Sequence, residues 1–350
     1  MTEVSAYATQ DTDSVFEKVT ITRRDPGPTE VYFEIQFAGI CHSDIHTARG
    51  EWGPVHYPLV PGHEIAGIVT KVGSDVTKFK VGDRVGVGCF VDSCGECEYC
   101  LAGYQQYCLG SVVWTYDGVG RDGLPTAGGY SRGITVEQDY VLHIPDAIPL
   151  QNAAPLLCAG ITTYSPLAHW NIGPGSQVAV IGLGGLGHVG VQLAVAMGAE
   201  VSVISQTRSK ESDGLKFGAA HYYAMNEEDT LKKLRGSFDF ILNTVSAPLD
   251  FNALLGTLKP QGTLCNVGLP PDSIPIKVNR LITGRKSLSG SNIGGIPETQ
   301  EMLDFCAKHG VMAQVEIISG EEITEAYNRV VKSDVRYRFV IDTATFDPEE

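Results

Sequence analysis

Four cysteines, Cys94, Cys97, Cys100 and Cys108, fall in a window of fifteen residues with the spacing CxxCxxC, seven residues, C. Four thiolates enclose one tetrahedral ion and leave no open position, which is the arrangement of a structural metal site. The first three match an iron–sulfur run, but the fourth comes too late and Leu109, not proline, follows it, so zinc is favoured. A second group lies upstream, in Cys41-His42-Ser43-Asp44-Ile45-His46 and again in Gly62-His63-Glu64. Thiolate and imidazole together suit a catalytic zinc, which needs three protein ligands and an open place. No third ligand is visible locally. Cys158 is a candidate, although its spacing alone would fit a small buried residue equally well. His42, His56 and His143 are assigned to the surface or the core.

A third constellation runs from Val178 to Gly198. Gly182-Leu183-Gly184-Gly185-Leu186-Gly187 follows an apolar strand and opens an apolar helix. In that context the glycines permit a tight turn and close approach to a pyrophosphate, and the helix N-terminus faces the anion. The next strand ends in Ser205-Gln206-Thr207-Arg208-Ser209-Lys210, where an NAD site would place a carboxylate for the ribose 2′-hydroxyl. Without that carboxylate a 2′-phosphate is not repelled, and Arg208 and Lys210 offer it charge-assisted hydrogen bonds. The cofactor expected is NADP(H). The alternative is that both are ordinary solvated residues at a helix start.

The elements that must position these groups divide the chain. At 350 residues it is long enough for two domains. Val31, Phe33, Ile35 and Phe37 alternate with more polar residues, and short apolar runs punctuated by Gly and Asp continue to about residue 150, predicting a β-rich, mostly antiparallel fold. Strand and helix then alternate: strands over 177–181, 201–204 and 238–242 and a helix from about 185 to 197 imply βαβ units and a parallel sheet. A helix over 297–309 and a strand over 338–341 close the chain. The expected organisation is α/β overall. A β-rich domain spans 1–153, with a structural-zinc lobe at about 89–109. A Rossmann doubly wound parallel-sheet coenzyme domain spans 154–293, and 294–350 is a mixed closing segment.

Composition excludes several classes. Twenty-six basic against forty-one acidic residues give a net charge of −15, which repels nucleic-acid backbones and acidic membranes. No apolar run reaches the roughly 18 to 20 residues needed to span a bilayer, and the polar start has no basic and apolar leader pattern. A cytoplasmic protein is expected, in which nine cysteines are free or metal-bound rather than paired. The one charge-biased tail is Asp347 to Glu350.

Taken together, the Cys41–His46 segment, Pro61-Gly-His-Glu-Ile-Ala-Gly67, the four-cysteine lobe, Leu157-Cys-Ala-Gly-Ile-Thr-Thr-Tyr-Ser165, Gly182–Gly187 and Asp334–Asp342 resemble the zinc-containing medium-chain alcohol dehydrogenases, in their cinnamyl-alcohol-dehydrogenase-like, NADP-dependent branch. The resemblance covers nearly the whole chain and implies that the β-rich domain over 1–153 is a GroES-like catalytic domain, to which 294–350 returns. It implies that Cys41, His63 and Cys158 are the catalytic zinc ligands, with Glu64 assisting, and that Asp44 orients the ligating histidine. It places Ser43 and His46 in a proton relay. It implies two zinc ions per subunit, a catalytic one acting as Lewis acid on the substrate oxygen, and hydride passing between the carbinol carbon and nicotinamide C4.

For the cofactor the resemblance adds Thr162, Thr244, Val267, Gly268, Ser291, Asn292 and a pyrophosphate-contacting Arg338, for which Arg336 is the alternative. Trp52 and Trp114 fall where this branch lines its substrate pocket, implying that aromatic or bulky primary alcohols and aldehydes are accepted. Asn292 replaces an aromatic pocket residue of plant members, which argues against a strict cinnamyl preference. Homodimers or homotetramers are implied. The rival readings are a polyol dehydrogenase of the same fold, which would carry glutamate in place of Cys158, and a non-catalytic NADP-binding redox sensor, which would not need Cys41, Ser43, His46 and His63. Cys89, Cys265 and Cys306 are left as core thiols.

Overall fold

The computed structural model describes residues 1–270 and 272–347; all of the acidic tail except Asp347 lies outside them. The chain forms two units, one of residues 1–161 with 294–350 and the other of residues 162–293. The first crossing falls eight residues after the expected 153/154, because the helix Ala159–His169 carries the chain from one unit into the other.

The first unit is built on a seven-stranded sheet in the order Val315–Ile318, Arg338–Asp342, Glu30–Gly39, Ile65–Val72, Arg84–Val87 and Leu142–His143, with Gly133–Glu137 also paired to Glu30–Gly39. Only its first pair is parallel. The central strand, Glu30–Gly39, buries Val31, Phe33 and Ile35, as its alternation predicts, but also Tyr32 and Ala38. At Ile35/Phe37 the register slips by one extra residue in this strand, so Ala38, and not the half-buried Phe37, comes to the buried face; the slip at Tyr32/Phe33 puts its extra residue in the partner strand. A hairpin, Thr2–Thr9 with Phe16–Arg23, and a short pair, Phe90–Asp92 with Val113–Trp114, complete the β content.

Register gathers one end of this sheet. Ala38 pairs with Ile65, so the residues just past Gly39 and those just before Ile65 lie side by side; Val340 pairs with Gly39, and Val87 with Ile65. Cys41, His63, Glu64, Arg338 and Cys89 are thereby brought to one place from four strands. Gly86 and Gly88 let the Ala154–Leu157 turn approach as well: a Cβ on either would stand 2.7 or 2.8 Å from Leu157 atoms. That approach delivers Cys158.

The second unit is a six-stranded parallel sheet in the order His221–Ala224, Glu200–Ser205, Gln177–Ile181, Phe238–Asn243, Leu258–Asn266 and Ser287–Gly290. In chain order this is 3-2-1-4-5-6, the doubly wound arrangement whose ligand site lies past the carboxyl ends of the strands. Four of the five residues of Gln177–Ile181 are buried, as expected of a strand covered on both faces. No helix among the described residues is long and apolar enough to cross a membrane.

Candidate active site

Ligand atoms of Cys41, His63, Glu64 and Cys158 all lie within 4.8 Å of one another, and all four residues are buried. Asp44, fully buried, organises the cluster. Its Oδ2 accepts from the Cys41 amide (2.8 Å) and its Oδ1 from the Gly62 amide (3.2 Å) and His63 Nδ1 (2.9 Å). With Nδ1 committed to Asp44, the Nε2 lone pair of His63 is left for a metal. Tyr130 donates to Asp44 Oδ2 from the far side (3.4 Å), and Tyr327 donates to Tyr130 (3.3 Å).

The two thiols lie 3.9 Å apart, within reach of a hydrogen bond. Donation from Cys158, with His63 and Arg338 nearby, holds the Cys41 thiol well below its usual range despite burial. The Cys41 and Cys89 thiols beside it, together with burial, raise Cys158. Burial likewise pushes the Glu64 carboxyl up, against the pull of the Arg338 guanidinium bonded to its Oε1. Burial also opposes the charge on Arg338, but Glu64, Cys41 and Cys158 outweigh it and keep the guanidinium protonated. Glu64 Oε2 has no hydrogen-bond partner, and it has room only because Gly39 lacks a side chain: a Cβ there would lie 2.0 Å from that oxygen. Two soft sulfurs, an oriented imidazole and an unpartnered carboxylate oxygen facing one point fit a zinc ion.

The four lobe thiols also lie within 4.8 Å of one another. Backbone amides of Cys94 and Gly110 donate to Cys108 Sγ (3.3 Å each), and that of Cys97 to Cys94 Sγ (3.4 Å). Amide donors favour thiolates; the Cys97 thiol is lowered to about 6 by the amides of Cys100 and Leu109. A metal held here is closed off from substrate. A separate cavity of about 370 Å³, lined by Arg23, Asp92 and Arg121 among others, touches none of the residues of either cluster.

In the second unit the glycine roles separate. Gly182 has φ +87°, a Cβ on Gly187 would lie 2.0 Å from the Gly182 carbonyl oxygen, and a Cβ on Gly184 would meet nothing within 4 Å. Turn, helix packing and an open face for a ligand backbone are thus assigned to the first, third and second glycines. The helix Gly187–Ala196 has no side-chain cap at its N-terminus, as suits an anion. Ser205, Thr244, Val267, Gly268, Ser291 and Asn292 all lie at or just past the carboxyl ends of strands. Lys210 Nζ bonds the Leu183 carbonyl (3.1 Å), tying the loop after the second strand to the Gly-rich turn. Thr162 is buried on the helix Ala159–His169.

Other expected residues are placed as follows. Ser43 Oγ is 3.7 Å from Cys41 Sγ. His46, one turn further on the same short helix, stacks on Trp52 (ring centroids 4.9 Å apart) and bonds Glu51 (2.5 Å). Among the described residues no hydrogen bond joins Ser43 to His46. Trp52 and Trp114 are half exposed. Arg338 is 4% exposed and is the counter-ion of Glu64, whereas Arg336 is exposed. Cys265 and Cys306 are core thiols, but Cys89 is not: it is half-buried, and the neighbouring Cys158 thiol lowers its pKa. Its contact, like those of Tyr130 and Glu51, went unread in the sequence; the register of Val87 with Ile65 is the signal that would have found Cys89.

A dinucleotide sheet joined in one chain to a buried Cys-His-Cys cluster and a closed four-thiol lobe defines a metal-dependent, nicotinamide-dependent dehydrogenase. Residues 27–146 match the alcohol dehydrogenase GroES-like domain family and 185–308 the zinc-binding dehydrogenase family. An NADP-dependent alcohol dehydrogenase C of Mycolicibacterium smegmatis is 63% identical over 346 residues, 99% of each chain. A cinnamyl alcohol dehydrogenase from Sorghum bicolor has a TM-score of 0.96 at 42% identity, covering 100% of both chains. One from Helicobacter pylori, complexed with NADP(H), has 0.92 at 43%, covering 97% of this chain and 98% of that one. The chain belongs to the zinc-binding alcohol dehydrogenase family.

Proposed function

We propose that this chain is an NADP-dependent zinc alcohol dehydrogenase that interconverts primary alcohols and aldehydes, accepting aromatic or bulky ones. The observation that carries the reading is the buried Cys41, His63, Glu64 and Cys158 cluster organised by Asp44. Cys41, His63 and Cys158 would hold the catalytic zinc, with Glu64 as an assisting donor, and Cys94, Cys97, Cys100 and Cys108 the structural one. Bound there, the catalytic ion supplies Lewis-acid polarisation of the substrate oxygen.

The protein's own groups manage the rest. Asp44 keeps a proton on Nδ1 of His63 and so keeps Nε2 a donor to metal. Ser43, beside Cys41, takes the proton of the substrate hydroxyl as it gives up its own, which reaches His46 through a bridging water or hydroxyl; the His46 side chain, 26% exposed, releases a proton to solvent. Gly182, Leu183, Gly184, Gly185, Leu186 and Gly187 bind the pyrophosphate. Arg208 and Lys210, with Ser205, Gln206 and Thr207, bind the 2′-phosphate. Thr162, Thr244, Val267, Gly268, Ser291 and Asn292 border the nicotinamide ribose and ring. Trp52 and Trp114 present half-exposed indoles as an apolar wall for substrate.

Nine free cysteines support a reducing, cytoplasmic setting. The exposed Val278, Ile282 and Leu288, the last on the sheet's edge strand, support self-association as a dimer or tetramer. The test is oxidation of NADPH and of NADH on a panel from acetaldehyde to cinnamaldehyde. Turnover with a large NADPH preference, best on aromatic members, is expected. Equal use of both cofactors would remove the 2′-phosphate assignment, and no turnover with any aldehyde would remove the enzyme assignment.

A further inference from the structure

The loop read as the 2′-phosphate site is anchored at several points. The parallel pairing of Glu200–Ser205 with His221–Ala224 runs past the end of both strands: the Met225 amide donates to the Ser205 carbonyl (2.8 Å) and the Asn226 amide to that of Gln206 (3.1 Å). Tyr222 Oη donates to the Thr207 carbonyl (2.9 Å). This extended register sets Glu227, the next residue, beside Arg208. Thr230 Oγ1 steadies the turn by donating to the carbonyls of Ala224 (2.8 Å) and Glu227 (3.2 Å).

The result is a crowded guanidinium. Arg208 Nη2 donates to Glu227 Oε2 (3.0 Å), Nε to Glu227 Oε1, and Nη1 to Glu211 Oε1 (2.5 Å). Glu227 takes a fork of two parallel N–H groups, the same face a phosphate would use. Two carboxylates surround one guanidinium, so the N–H groups a dianion would use are occupied until one of them withdraws. A plain stabilising role for these exposed ion pairs contributes little, and it would leave ligand discrimination unmoved.

We propose that Glu227 sets how strongly this chain prefers a 2′-phosphorylated dinucleotide, by competing with the 2′-phosphate for the Arg208 guanidinium. The inference rests on the assignment of Arg208 to that phosphate. It makes Glu227 a specificity-determining residue supplied by the neighbouring strand, nineteen positions along the chain from its partner. The acid holds the arginine in an ordered but occupied state. Exchange of the carboxylate for the phosphate is the event that separates NADP(H) from NAD(H), whose unphosphorylated ribose has nothing to displace Glu227 with.

The experiment is calorimetric titration of the full, zinc-loaded chain at low ionic strength with adenosine 2′,5′-bisphosphate and with 5′-AMP, neither of which turns over. In Glu227→Gln, loss of the charged competitor for the Arg208 guanidinium should tighten the bisphosphate about twofold to fivefold, the worth of one exposed ion pair, and leave 5′-AMP unchanged. In an Arg208→Gln background the same change should have no such effect. Bisphosphate binding that is unchanged or weaker in Glu227→Gln, while wild type still prefers it to 5′-AMP, would overturn the competition and leave the 2′-phosphate site standing. Wild-type protein that binds the two nucleotides equally would overturn both.

Discussion

Replacing Asp44 by asparagine removes a charge and almost no volume, at a residue fully buried and accepting four hydrogen bonds. An amide has one acceptor oxygen. Turned toward Gly62 and His63, it leaves an NH₂ group facing the Cys41 amide and the Tyr130 hydroxyl. Tyr130 is itself already the acceptor from Tyr327. Turned the other way, it leaves His63 Nδ1 facing a donor, which frees the ring to rotate or change tautomer. At least one buried donor is orphaned, at about 1–3 kcal/mol, and the surviving bond to His63 loses its charge assistance, so folding stability should fall by about 2–4 kcal/mol.

At the metal, loss of the carboxylate behind a ligating histidine costs about 10- to 100-fold in affinity. The assay is zinc release to a chromophoric chelator. The lobe thiolates take their amide donors from Cys94, Cys97 and Gly110, not from Asp44, so each chain contains its own control. One equivalent should leave about 10- to 100-fold faster than in wild type and the other at the wild-type rate. Release of both ions at wild-type rates, or faster loss from the lobe, would refute the reasoning.

Three other substitutions probe different links. Arg338→Met leaves Glu64 buried without its counter-ion and should cost about 3–5 kcal/mol in denaturant unfolding; adding Glu64→Gln should recover much of that, and strictly additive losses would contradict the pairing. Gly187→Ala forces a methyl to within 2.0 Å of the Gly182 carbonyl and should abolish NADPH binding by fluorescence titration, whereas Gly256→Ala, with nothing within 4 Å, should leave binding intact. Ser43→Ala should lower aldehyde turnover about 100-fold with two zinc ions still bound; undiminished turnover would remove Ser43 from the relay.

What the residues revealed on their own was local. The four lobe cysteines fall within fifteen positions, and the Gly182–Gly187 turn is flanked by its own strand and helix, so spacing alone indicated both. The catalytic cluster is not local. Cys158 lies 117 positions from Cys41, and what unites them is the register of Gly39, Ile65 and Val87 across three strands plus two glycines that let the Leu157 turn approach. Resemblance to a family supplied Cys158; spacing could not. The pairing of Arg338, expected at a pyrophosphate, with Glu64 was not legible, because the same register sets it. Glu227 escaped notice for the same reason, because a partner on an adjacent parallel strand has no fixed distance in sequence.

The most direct measurement is NADPH-dependent benzaldehyde reduction followed as zinc is withdrawn from the intact chain and then restored, with bound metal counted at each point. About two zinc ions per chain are expected at the outset. Activity should fall to zero in proportion to loss of the ion held by Cys41, His63 and Cys158, while the lobe ion is still bound, and return when that equivalent is replaced. Full activity with only the lobe ion present, or with no zinc at all, would contradict the account.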